Sequence, residues 1–315
     1  MIYRSAHLIA NNLAITGELP FQLGNGVTLR RPDPEAELDR IQQCLLLTNS
    51  QFSSWFPYEA VISPKDGGGF NATRTSDKSL WHYYVLSDDD GGANVYDLEG
   101  PLLLIKPSID LSVRVLANFE EGTKPKDTGW APVMPHIVER YHYQHRIRER
   151  LPVPRKHFLL AESIRKSVAS LAPEYAFVQH ALTLLKELRK VPDSSRLQVI
   201  GLFSIIESLI AHAPRLAESL DSISHQLQGK LSLLVNRMED VRSLPMLAQS
   251  PAPKLWKKLY SYRSALAHGR SVDFKGDFAQ LDSHAQVVEF LYDFTCSLVM
   301  YALQEPRLIS DLREC

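Results

Sequence analysis

A chain of 315 residues, 44% hydrophobic and 23% charged, has room for two domains with sizeable cores, which excludes a disordered or low-complexity polymer. Its net charge of −1 excludes a global basic field that would draw it to nucleic acid, so phosphate binding has to come from local patches. Cys44, Cys296 and Cys315 are odd in number, far apart and without metal-ligand spacing, which argues against a disulfide framework and for buried thiols in a reducing compartment.

From the N-terminus, Met1 to Leu19 is interrupted by Arg4, His7, Asn11, Asn12 and Glu18 and holds no signal-peptide hydrophobic run. The longest apolar stretches further on are broken by Glu207 and Asp293 and fall short of a membrane span, so the expected location is cytoplasmic, with no membrane partner. GNG at 24–26, DGGG at 66–69 and DDDGG at 88–92 read as turns or loops. DGGG has no following Lys-Ser/Thr, as a phosphate-binding loop requires, and DDDGG lacks the spaced ligands and closing glutamate of a calcium loop. PEAELDRIQQCLLL (34–47) predicts a helix with Pro34 near its first turn, while HYYVLSD (82–88), PLLLIKP (101–107) and IDLSVRVLANF (109–119) predict strands. Residues 1–135 thus read as an α+β domain with a substantial antiparallel sheet, its role unassigned.

Residues 136–156 form a basic stretch in which Arg140, Arg146, Arg148 and Arg150 interleave with Tyr141 and Tyr143. Arginines that touch phosphates beside tyrosines that stack on bases would suit RNA; a solvated interdomain linker fits the same composition. His142 and His145 lack nearby third and fourth ligands, so no metal site is expected.

After residue 155 the strand signals stop. Helical periodicity runs through 155–172, 173–191, 194–213, 222–241, 253–268 and 278–304, with Pro173, Pro192, Pro214, Pro245 and Pro253 between these segments or at their starts. Residues 157–315 therefore read as an all-helical bundle. In the segment PKLWKKLYSYRSALAH, Leu255, Leu259, Tyr262 and Leu266 share a narrow stripe that must face the core. Arg263 lies beside that stripe, and Tyr260, Ser264 and His268 run down the far side at i, i+4 spacing. Gly269 suits the left-handed residue that ends a helix, which puts His268 beside the negative end of the helix dipole, a reasonable setting for a proton-shuttling histidine. Arg263 and His268 are five positions apart, roughly 140° around an ideal helix from its 3.6-residue period, so one helix would not aim both at one phosphate. Glu207 is the only formal charge from Leu197 to Pro214, in a helix apolar enough to be central, and Arg263 is the expected partner of its carboxylate. On these residues alone, a structural ion pair with a helix-end histidine competes with a phosphate-handling site.

The succession IIESLIAH (205–212), LQGKLSLLVNRM (227–238) and LYSYRSALAHG (259–269) resembles the HEPN domains, specifically the Apea-like HEPN group, over roughly residues 155 to 305. The resemblance implies a helical bundle, often dimeric, whose signature is an arginine followed four to six residues later by a histidine. In active members that signature cleaves RNA without a metal or other cofactor. Carried onto this chain, it implies Arg263 and His268 as catalytic residues, with Glu207, Tyr260 and Ser264 in support. The function implied is a metal-independent endoribonuclease of a bacterial defence or stress system, acting on RNA as a homodimer and answering to an antitoxin or a phage-derived trigger. The alternative is a non-catalytic HEPN module that dimerises and binds nucleotide or a partner.

Overall fold

The computed structural model describes residues 2–48, 56–88, 93–119, 126–131, 150–212 and 222–315, and it divides into two compact units, Met1–Lys166 and Ser167–Cys315.

The first unit is built on a six-stranded antiparallel sheet. Its strands are β1 (Ile2–Ile9), β3 (Phe21–Gln22), β4 (Thr28–Arg30), β7 (Val85–Asp88), β8 (Leu111–Phe119) and β9 (Lys126–Ala131), in the order β3-β4-β7-β1-β8-β9. Two further two-stranded sheets are described in it: β2 (Leu13–Thr16), which pairs in parallel with β10 (Leu151–Pro154), and the hairpin of β5 (Ala60–Pro64) and β6 (Phe70–Arg74), joined through DGGG. Alternation along β1 sends Ala6 and Leu8 to one face, where they meet Leu38, Ile41, Cys44 and Leu45 of a π-helical turn (Pro34–Leu38) and of helix α1 (Asp39–Thr48). Burying each leucine or isoleucine of this group contributes about 1.5–3 kcal/mol. His7 points to the other face, against Tyr96 of helix α2 (Ala93–Leu104), with ring centroids 5.2 Å apart.

Two readings from the sequence change here. PLLLIKP was expected as a strand, yet Pro101–Leu104 is the last turn of α2, all four residues buried. A short continuous apolar run has no period that tells a buried strand from a buried helix, and the helix begins upstream in ANVYDLEG, which carries little apolar signal. Residues 136–156 were expected as a linker. Their described end, 150–156, instead supplies β10 and the first residues of helix α3 (Arg155–Ala169), whose Phe158 ring meets Phe21 at 5.9 Å. The unit boundary accordingly falls within α3.

The second unit is helical: α4 (Ala176–Leu188), α5 (Arg196–Ile210), α6 (Ile223–Val235), the short α7 (Glu239–Arg242) and α8 (Pro245–Gln249), α9 (Ala252–Ala267), α10 (His284–Gln304) and α11 (Pro306–Glu314). Helix α5, apolar almost all round, is central and packs against α4, α6, α9, α10 and α11, as its composition predicts. The stripe expected on α9 is the buried one: Leu255, Leu259, Tyr262 and Leu266 are at most 8% exposed. Trp256 joins them and stacks into an aromatic cluster with Phe203, Phe290 and Phe294. Cys44 and Cys296 are buried, whereas Cys315, read with them as a buried thiol, is exposed at the C-cap of α11. Among the described residues, no helix is long and apolar enough to cross a membrane.

Candidate functional site

Helices α5 and α9 bring the second unit's candidate residues together. Glu207 sits in the last turn of α5, and Arg263 lies one turn before the end of α9. Arg263 Nη2 stands 3.6 Å from Glu207 Oε2, with both side chains mostly but not fully buried, at 25% and 18% exposure. This is the pairing expected from the lone charge in α5, but it is loose. Glu207 Oε1 and Arg263 Nε are both buried without a hydrogen-bond partner among the described residues. The remaining support comes from aromatic rings. The Arg263 guanidinium lies 5.6 Å from the Tyr260 ring centroid, and Tyr260 in turn meets Phe203 of α5 edge-on at 6.1 Å.

Burial pushes the Glu207 carboxyl above its ordinary range, and the Arg263 cation opposes this without reversing it. Desolvation therefore outweighs the attraction across the pair. The contrast with other arginines is informative. Arg30 grips Glu37 with two bonds of 2.6 Å, and Arg165 grips Glu162 with bonds of 2.9 and 2.7 Å. Arg263, with five donors on its guanidinium, makes no hydrogen bond to a described residue.

His268 caps α9, and its geometry follows from Gly269. That glycine adopts φ +65°, the left-handed conformation a side chain resists, and the chain closes with Gly269 N–H to the Leu266 carbonyl at 3.2 Å and Arg270 N–H to the Ala265 carbonyl at 2.9 Å. This is the two-bond Schellman ending. It leaves the His268 side chain exposed, and no hydrogen bond or ion pair joins it to Arg263 among the described residues. Ser264 accepts the His268 backbone N–H through its own carbonyl at 3.1 Å.

Of the basic stretch, Arg140, Tyr141, Tyr143, Arg146 and Arg148 lie outside the described residues, as do His142 and His145. Arg150 is described and is engaged in the first unit: its Nε donates to Asn12 Oδ1 at 3.2 Å and its Nη2 to the Ala60 carbonyl. Half-burial holds its guanidinium below the ordinary range. These bonds tie Arg150 to the β1–β2 connection and to β5, and leave Nη1 and one Nη2 hydrogen without a described acceptor.

A polar cluster beyond α5 was not singled out from the sequence. Lys230 Nζ donates to the Ile210 carbonyl at 3.0 Å, capping α5, and stands 3.3 Å from His212 Nδ1, while Gln226 Oε1 accepts the His212 N–H at 3.1 Å. The i, i+4 spacing of Gln226 and Lys230, the one Lys or Arg on α6, is the signal that would have found it. His212 also lines a cavity of about 410 Å³ with Phe177, Ser310 and Arg313. Among the described residues, no three or more His, Cys, Asp or Glu side chains are grouped to hold a metal ion.

Compared with protein-family models, curated proteins and solved structures, the chain finds no match.

Proposed function

We propose that this protein is a metal-independent endoribonuclease of the HEPN type, acting in the cytoplasm as part of a bacterial defence or stress response. The observation that carries the reading is the state of Arg263, positioned by the Glu207 carboxylate and the Tyr260 ring yet with unspent donors. A structural arginine of this chain looks different, as the bidentate pairs of Arg30 and Arg165 demonstrate. In this reading Arg263 binds the scissile phosphate and offsets the charge that builds on it in the transition state. His268, exposed at the helix end, takes the proton of the ribose 2′-hydroxyl or delivers one to the departing 5′-oxygen. Attack of the 2′-oxygen on phosphorus breaks the P–O5′ bond and leaves a cyclic phosphate. Ser264 and Tyr260 help to position the pair, and the arginines and tyrosines of 140–148 supply further RNA contacts.

Purified protein and an Arg263→Ala/His268→Ala double variant, each incubated with single-stranded RNA in EDTA, test this. Cleavage by the parent alone, with cyclic-phosphate ends, is expected. Cleavage that persists in the double variant, or none from either protein across varied RNAs, defeats it. The absence of a bond between Arg263 and His268 favours a second reading, a non-catalytic module that dimerises and binds nucleotide or a partner such as an antitoxin or a phage-derived trigger. That reading expects an intact fold with no cleavage.

A further inference from the structure

The first unit, to which no motif assigns a role, contains a cavity of about 330 Å³ whose lining includes Arg31, Pro34, Leu38, Lys78, Trp81 and Tyr83. That volume is at the small end of ligand pockets. The inner wall is aromatic and nearly closed to water: Trp81 is 6% exposed and Tyr83 2%, their ring centroids 6.0 Å apart. Both rings have committed their polar atoms elsewhere. Trp81 Nε1 donates to the Thr75 carbonyl at 2.9 Å, and the Tyr83 hydroxyl donates to the buried Glu59 at 3.1 Å. What they offer the cavity is ring carbon, to which Leu38 and Pro34 add aliphatic surface. A polar heterocycle would leave its own donors and acceptors unpaired against this wall, at a cost in binding.

The outer side carries cations. Arg31 Nη1 donates to the Ser79 and Trp81 carbonyls at 2.7 and 3.1 Å, which fixes the guanidinium at the rim. Its Nε and Nη2 donate to no described residue. Lys78 stands 5.7 Å over the Trp81 ring and 3.7 Å from the Asp39 carboxylate, an exposed pair of the kind that contributes little in water. An anion at the rim can therefore use two Arg31 donors and compete for Lys78 while staying partly solvated.

We propose that this cavity binds a small aromatic carboxylic acid, its carbocyclic ring against Trp81 and Tyr83 and its carboxylate on Arg31 and Lys78. The site is independent of the nuclease reading. The full chain titrated calorimetrically with 2-naphthoate, and in parallel with the neutral isostere 2-naphthamide, tests it. One saturable site per chain is expected for naphthoate, with naphthamide at least tenfold weaker. Lys78→Glu, at an exposed position on the carboxylate side, should weaken naphthoate at least tenfold and change naphthamide less than twofold, while Pro34→Glu, which puts a charge on the aliphatic wall, should weaken both probes. No saturable binding of naphthoate at millimolar concentration overturns the proposal; so does equal affinity for the two probes, or naphthoate binding indifferent to both variants in folded protein.

Discussion

Glu207 illustrates how a single residue can be kept at the fold's expense. Its carboxyl is raised by burial more than Arg263 lowers it, so the folded chain binds a proton there more readily than the unfolded chain does. Stability from this group is then fully present at pH below the ordinary carboxylate range and is lost as pH rises through the raised value. The isosteric Glu207→Gln removes the charge and keeps the volume. It should melt at the same temperature as the parent or slightly above it at pH 7, with the gap closing towards pH 4. Thermal scans of both proteins across that range check this, and a Gln variant distinctly less stable at pH 7 would mean the ion pair is a net stabiliser. Glu207→Ala, which also deletes packing at the α5–α9 contact, should destabilise. These residues were legible beforehand because a lone charge in an apolar helix needs a partner. The 3.6 Å separation and the two orphaned atoms were not, since they depend on how closely α5 and α9 approach.

At the scale of elements, 222–241, read as one helix, divides into α6 and α7, 278–304 begins at His284, and α11 was not read, whereas α3, α4, α5 and α9 were placed from the sequence to within a few residues, α9 most closely. Here periodicity, proline starts and the glycine stop agree. The misses lie where one signal is absent. Pro101–Leu104 has no period, and β1, the centre of the sheet, reads as IYRSAHLI, in which Ser5 and His7 are buried along with Ala6 and Leu8. A central strand covered on both faces does not alternate. The end of α9 supports a prediction of its own. Gly269 has open space where a Cβ would stand, so Gly269→Ala meets no clash and its cost is the left-handed backbone alone. A loss of about 1–2 kcal/mol is expected from denaturant midpoints, with cleavage reduced as the His268 cap loosens. A variant as stable as the parent would mean that the Schellman ending contributes nothing.

For the whole molecule, the proposed chemistry requires an arginine and a histidine roughly 140° apart on one helix to reach one phosphate. The chain as a whole supplies no attraction for RNA, with 35 Lys and Arg against 36 Asp and Glu, so the site must concentrate its own charge. A two-fold pairing of bundles about the C-terminal end of α9 would answer both points, setting Arg263 of one chain near His268 of the other and gathering two arginines into a cleft that would draw in phosphate. The protein should therefore be a homodimer by light scattering. The decisive test is complementation. Arg263→Ala chains and His268→Ala chains, each inactive alone, are co-refolded in equal amounts. If each site takes its arginine from one chain and its histidine from the other, half of the dimers regain one site of two, and the mixture should recover about a quarter of the parental rate under random pairing. A site contained in one chain regains nothing on mixing. A monomer in solution, or a mixture as inactive as its parts beside an active parent, would eliminate the shared cleft.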